Sequence, residues 1–290
     1  MRFLVLGSSG MAGHVISRYL CEHQHEVTGF SRHPGGDIPV IVGDARCKEL
    51  LAEIVVNGGY DVVVNAIGIL NANAEKDEPL ARYLNGELPH LLADLVSDLP
   101  TRIMHMSTDC VFAGNGGPYT EQSLPDGLSV YDRTKAQGEL KDKKNLTLRN
   151  SIVGPDCNID GIGLFNWFMK QTGEIEGYTR AMWTGMTTIE LSRAIEHAAL
   201  AGDAGLVNMV PAENISKYDL LLLFKKYFSR ENLRIKPSAR LALDKTLVRT
   251  NFESAFRPKS YEEQVADMAV WVKEHAGLYP HYNLGAMLDE

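Results

Sequence analysis

The stretch Phe3-Leu4-Val5-Leu6-Gly7-Ser8-Ser9-Gly10-Met11-Ala12-Gly13 decides the fold. Four apolar residues in a row read as a short strand buried on both faces, as in a parallel sheet. Glycines then fall at 7, 10 and 13, and Val15, Ile16, Tyr19 and Leu20 recur at helical spacing. Strand, glycine turn and helix make a setting for a dinucleotide. The turn lets the backbone approach a pyrophosphate, and the helix N-terminus faces that anion with free N–H groups and a favourable dipole. The spacing differs from the Gly-x-Gly-x-x-Gly fingerprint, so a merely structural turn is the competing reading. Gly7, Ser9, Gly10 and Met11 are the candidate contacts of the turn.

The pattern repeats outward from this start. Strands are expected at about 26–30, 39–42, 61–65, 102–106 and 146–149, with helices at about 47–56 and 79–95. Such alternation predicts an α/β fold: a Rossmann-type, doubly wound parallel sheet with helices on both faces. Residues 1–150 form the expected dinucleotide-binding domain and 151–290 a smaller, mainly substrate-binding lobe. Within that lobe a short aromatic helix is expected around 165–168, and helices at 188–201, 215–228 and 261–275. The stretch 188–210 is expected to return to the Rossmann sheet, ending in a strand at 206–210.

Composition narrows the class. The chain has 290 residues, 44% of them hydrophobic and 23% charged, ordinary values for a protein with a real core. A net charge of -8 argues against nucleic acid or an anionic membrane as partner. Cys21, Cys47, Cys110 and Cys157 form no Cys-x-x-Cys pair, so reduced thiols are expected, and no metal site. Neither a signal segment nor a membrane span is apparent, and the cytoplasm is the expected location.

The second informative stretch runs from Ser107 to Lys135. A hydroxyl (Thr108, with Ser107 as fallback) closes one strand, and Tyr131 and Lys135 stand four apart at a helix start. Positions i and i+4 share a helix face. A nearby ammonium is expected to lower the phenol's pKa from about 10 toward the working range. An ordinary amphipathic helix start is the plainer alternative. Cofactor candidates elsewhere are Arg32, Asp44, Ala45, Ala66, Ile67 and Gly68, each just past a strand end. The strand before Arg32 ends without a carboxylate to bond a ribose 2′-hydroxyl, and Arg32 can pair with a 2′-phosphate. NADP(H) is therefore preferred, with NAD(H) the alternative. For Asp44 the choice is between an adenine edge and a cap of the next helix.

Together these motifs resemble the extended short-chain dehydrogenase/reductases, and within them the dTDP-4-dehydrorhamnose reductase family of nucleotide-sugar reductases. The resemblance rests on the glycine turn, Ser107-Thr108-Asp109-Cys110-Val111-Phe112-Ala113-Gly114, Pro118-Tyr119-Thr120-Glu121, and Tyr131-x-x-x-Lys135 with Gly138-Glu139 behind it. It implies reduction by NADPH of the C4 ketone of a nucleotide-linked 4-keto-6-deoxy sugar, for surface-polysaccharide precursors. Catalytic roles would fall to Thr108, Tyr131 and Lys135, with the last two also touching cofactor. Phe112, Ser151, Arg180 and Trp183 are the candidate substrate contacts. The chain has Arg149-Asn150-Ser151-Ile152 where that family commonly reads Arg-Thr-Ser-Trp, which leaves the sugar and base open. A homodimer is compatible with this reading. The rival readings are a nucleotide-sugar epimerase that retains NAD, and a non-catalytic NADP-binding regulator on the same scaffold.

Overall fold

The computed structural model describes residues 1–36, 38–251, 254–282 and 284. Seven parallel strands form the central sheet: β1 (Arg2–Leu6), β2 (Glu26–Ser31), β3 (Val40–Val42), β4 (Val62–Asn65), β5 (Arg102–Ser107), β6 (Leu146–Arg149) and β10 (Gly205–Asn208). Their spatial order is β10-β6-β5-β4-β1-β2-β3. The order reverses between β1 and β4, and in such sheets ligands bind outside the carboxyl ends of the strands at that point.

Helices cover both faces because the strands alternate their apolar side chains. Phe3 and Val5 pack with Val15, Ile16, Leu191 and Ile195, from α1 (Met11–Glu22) and α8 (Thr188–Ala201). Leu4 and Leu6 point the other way, onto Leu51 and Val55 of α2 (Lys48–Asn57) and Leu88 and Leu92 of α5 (Leu88–Leu95). Burial of each such side chain contributes about 1.5–3 kcal/mol.

The segment expected as one helix over 79–95 is broken. Two short helices, α3 (Asn71–Lys76) and α4 (Glu78–Ala81), lead into a π-helical turn at Arg82–Glu87 before α5 begins. Pro89, at the start of α5, has no N–H to give back to the preceding turn, which widens the winding there. Asn85 in that turn is fully buried. It accepts from Ile69 N at 2.9 Å and donates to the Ile69 carbonyl at 3.0 Å and to Thr134 Oγ1 at 3.1 Å. The wide turn is thereby tied to α6 (Val130–Gln137).

Beyond β6 the chain builds smaller sheets. β7 (Ser151–Val153) pairs with β9 (Gly185–Thr187), and α7 (Leu164–Met169) lies between them in sequence. The strand β8 (Glu174–Trp183) is flanked by β11 (Ile215–Ser216) and β12 (Arg234–Asp244). The sequence reading missed β8 and β12. Charged residues disguise both: β12, with Pro237, is an edge strand where such residues are tolerated, and β8, though central in its sheet, keeps Glu174, Glu176 and Arg180 exposed. The helix expected over 215–228 begins two residues later, as α9 (Lys217–Tyr227), because Ser216 is its cap. The last helix, α10 (Tyr261–Glu274), packs against α8 and α9.

Candidate active site

The glycine turn sits at the sheet's reversal point. Gly7 adopts φ +82, a left-handed conformation that favours glycine. A Cβ on Gly13 would stand 2.1 Å from the Gly7 carbonyl oxygen, so helix and turn pack closer than any side chain allows. Gly7 N and Ser8 N both donate to the Phe30 carbonyl, at 2.9 and 3.2 Å. The first turn of α1 has no side-chain cap and no acidic residue. Ser9 and Gly10 are exposed and Met11 is half-buried. Uncapped N–H groups above a glycine cradle fit a dinucleotide pyrophosphate. Ala66 and Ile67, half-buried, and exposed Gly68 stand opposite, with Ala66 backbone atoms 3.1 Å from a Cβ built on Gly7.

Strand β5 ends at Ser107, and the alternation of a strand separates Ser107 from Thr108. Ser107 Oγ donates to Glu139 Oε1 at 2.8 Å, inside the protein. Thr108 opens the short turn whose Cys110 packs on Tyr131. Thr108 Oγ1 donates to Asp109 Oδ1 and accepts from Cys110 N, each at 3.1 Å. On the helix side, Ser129 and Asp132 form a reciprocal capping box that starts α6 immediately before Tyr131. Val130 N is held by Glu75 Oε1 at 2.7 Å.

Lys135 corrects the electrostatic expectation. Its Nζ donates to the Met106 carbonyl at 2.6 Å and lies 3.3 Å from His105 Nε2, turned into the sheet. The Tyr131 phenol is not lowered; burial raises its pKa, and neighbouring Cys110, Asp109 and Asp132 raise it further. The Thr108 hydroxyl acts in the opposite sense. Burial brings Lys135 itself down to about 8, against the pull of Glu139. An i, i+4 spacing places two Cβ atoms on one face but does not fix where a four-carbon stem ends.

Behind this site lies a buried ion pair. Arg149 Nε and Nη2 donate to the two Glu139 carboxylate oxygens at 2.7 and 2.6 Å, and both side chains are 0% exposed. The guanidinium also lies 5.1 Å over the Phe112 ring. It couples the end of β6 to the end of α6 and, through Ser107, to the end of β5.

The remaining candidates divide. Arg32 is exposed just past β2. Asp44 accepts from Arg46 N, Nε and Nη2 at 2.9, 3.0 and 2.6 Å, so Arg46 engages its carboxylate. The cap of α2 is Cys47, not Asp44. Ala45 is buried and its carbonyl accepts from Tyr83 OH at 2.8 Å. Phe112 is 0% exposed and stacked on Tyr119 with centroids 4.1 Å apart, which makes it core and closes it to substrate. Ser151 is half-buried in β7. Trp183 is buried against Tyr261, while Arg180 is exposed. Three residues apart on one strand, Arg180 and Trp183 point to opposite faces and cannot grip one ligand together.

Sequence reasoning missed Lys217, at the start of α9. Its ammonium lies 4.9 Å over the Trp183 ring. Burial lowers it to about 8, and Asp109 and Cys110 pull it back up. Asp109, in turn, is raised by burial and lowered chiefly by Lys217. Lys217 and the Thr108–Cys110 turn therefore influence one another electrostatically. No local motif announces this, since the two segments lie about a hundred residues apart.

The reversed parallel sheet and the glycine turn at its reversal point define a Rossmann-type α/β fold. The chain belongs to the family described as the RmlD substrate binding domain, which matches residues 1–153. It is 35% identical over 147 residues to a probable dTDP-4,6-dihydroxy-2-methyloxan-3-one 4-ketoreductase of Streptomyces antibioticus, covering 48% of this chain and 45% of that relative. The match thus spans about half the length of that relative. The dTDP-4-dehydrorhamnose reductase of Streptomyces griseus is 28% identical over 307 aligned positions, covering 100% of this chain and 92% of that one. The solved structure of dTDP-4-dehydrorhamnose reductase from Bacillus anthracis in complex with NADP superposes with a TM-score of 0.79 at 17% identity, covering 94% of this chain and 99% of that one.

Proposed function

We propose that the chain reduces the C4 ketone of a nucleotide-linked 4-keto-6-deoxy sugar with NADPH, for surface-polysaccharide precursors. The observation that carries this reading is that α6 packs Tyr131 against the Thr108–Cys110 turn at the end of β5. When bound, NADPH supplies the hydride that reaches the carbonyl carbon. The raised phenol of Tyr131 is fully protonated at neutral pH and acts as the acid, giving its proton to the carbonyl oxygen as charge develops there. Thr108, whose hydroxyl donates to Asp109 Oδ1 in the free protein, would turn it to the same oxygen and stabilise that charge. Gly7, Ser9, Gly10 and Met11 hold the pyrophosphate, and Arg32 faces the 2′-phosphate. The names of the related reductases support the sugar class.

The test is oxidation of NADPH by the purified protein with a panel of dTDP-, UDP- and GDP-linked 4-keto-6-deoxy sugars. One equivalent of NADPH consumed per ketone lost is the expected result. Interconversion of sugars without net NADPH consumption would instead establish an epimerase and overturn the reading.

A further inference from the structure

Buried hydrogen bonds at the ends of β4 and β5 constrain the protonation of His105 and Lys135. Asn65, at the end of β4, is fully buried, as is His105 on the neighbouring β5. Asn65 Oδ1 accepts from the Ile67 N–H at 3.2 Å. Its amide nitrogen therefore points at His105 Nδ1, 3.2 Å away. Turning the amide over would set N–H against the Ile67 N–H, so the orientation is determined. A ring nitrogen that accepts carries no proton, and the proton of the neutral imidazole is then on Nε2.

That Nε2–H faces Lys135 Nζ at 3.3 Å. An ammonium has three donors and no lone pair, so it would meet the imidazole donor to donor. A neutral amine satisfies both neighbours: it donates to the Met106 carbonyl at 2.6 Å and accepts from Nε2–H. We propose that Asn65 and His105 form a tautomer lock that biases Lys135 toward the neutral amine in the dinucleotide-free protein, so that in mildly alkaline solution binding a dinucleotide takes up a proton at Lys135. The coupling rests on the dinucleotide reading given above; the lock itself does not. His105 is a positioning residue, acting through Lys135.

The surroundings agree. Burial holds His105 well below its ordinary pKa, so it stays uncharged. Burial brings Lys135 to about 8, with Glu139 the opposing charge. Glu139 is engaged by Arg149 and Ser107, and His90 Nε2 lies 2.7 Å from the Gln137 carbonyl.

Two measurements decide. The first is the nitrogen spectrum of histidine-labelled full-length protein without ligand, with the His105 signals assigned by their loss in His105→Gln. Protonated Nε2 with bare Nδ1 is expected; the opposite tautomer or an imidazolium overturns the lock. The second is calorimetric titration with NADP⁺ and with NAD⁺, each in buffers of different ionisation enthalpy. From a Lys135 value of about 8 that returns toward about 10.4 when bound, uptake should be about 0.9 proton at pH 9 and about 0.1 at pH 7. Asn65→Asp should abolish the uptake, because the carboxylate accepts from Nδ1–H and turns Nε2 into an acceptor for an ammonium. In a His105→Leu background the same change should have no further effect; a persisting effect would mean that charge alone acts, and the lock would fall. Unchanged uptake in Asn65→Asp would overturn it equally. Should neither dinucleotide bind, the dinucleotide reading and the coupling fail together, while the nitrogen spectrum still decides the lock.

Discussion

Replacing Arg149 by Met should destabilise the protein by about 3–5 kcal/mol, the usual result of stripping a buried ion pair of one partner. The figure follows from the geometry. Glu139 and Arg149 are both 0% exposed and joined by two short hydrogen bonds. After the change Glu139 keeps the Ser107 hydroxyl at 2.8 Å. The nearest other cation, Lys141, stands 3.9 Å away but is 60% exposed and cannot compensate a buried charge. Met fills most of the vacated volume and can still lie on Phe112, so the loss is chiefly electrostatic. At roughly 2 °C per kcal/mol for a chain of this size, melting should fall by roughly 6–10 °C. Denaturant unfolding of Arg149→Met, Glu139→Gln and the double variant measures it as a cycle. The double variant should recover most of the loss, since it leaves no unpaired charge. A single variant within about 1 kcal/mol of the parent, or a double variant as unstable as the sum, would refute the reasoning.

Other outcomes follow from the site. Tyr131→Phe should lower reductase turnover by about 10²–10⁴-fold while dinucleotide affinity, measured by calorimetry, is retained; near-parental turnover would remove Tyr131 as the acid. Arg32→Ala should weaken NADPH binding by about ten- to a hundredfold, the worth of a charge-assisted hydrogen bond of roughly 1.5–3 kcal/mol, and NADH binding much less. Equal losses for both would end the case for a 2′-phosphate site. Lys217→Met should show a pH signature in stability. Lys217 is lowered to about 8 when folded, against about 10.4 unfolded, so between these values the unfolded chain binds more protons and the lysine's penalty fades as pH rises. The stability of the variant relative to the parent should therefore decline from pH 8 to pH 10, by less than about 1.4 kcal/mol per pH unit. A relative stability that stays flat across that window would show that Lys217 is not buried as described.

What was legible in the sequence was what adjacent residues decide. Phe3–Leu6 and the glycine turn are contiguous, and so are Ser129 to Lys135, where cap and helix face follow from local spacing. The side of the sheet each residue serves was legible too, because a strand alternates. What was not legible came from pairing. Lys135 finds His105 and Met106 only because α6 packs across β5, and the stem could equally have reached the phenol. Lys217 lies over Trp183 and feels the charge of Asp109, both far from it in the chain. Phe112 and Trp183 illustrate the converse: an aromatic in a motif is as readily a packing element as a contact. Strands β8 and β12 escaped notice because each keeps charged residues exposed, so the apolar run that betrays a buried strand is absent.

The wide turn at Arg82–Glu87 carries a consequence for how this chain can vary. Deleting one residue there would restore ordinary winding and, at 3.6 residues per turn, swing everything beyond it by about 100°. Leu88 and Leu92 would leave the face of the sheet, and Asn85 would lose both Ile69 and Thr134. The extra residue is thus a ratchet: once the core and α6 had been fitted around it, no single-codon loss could lead back.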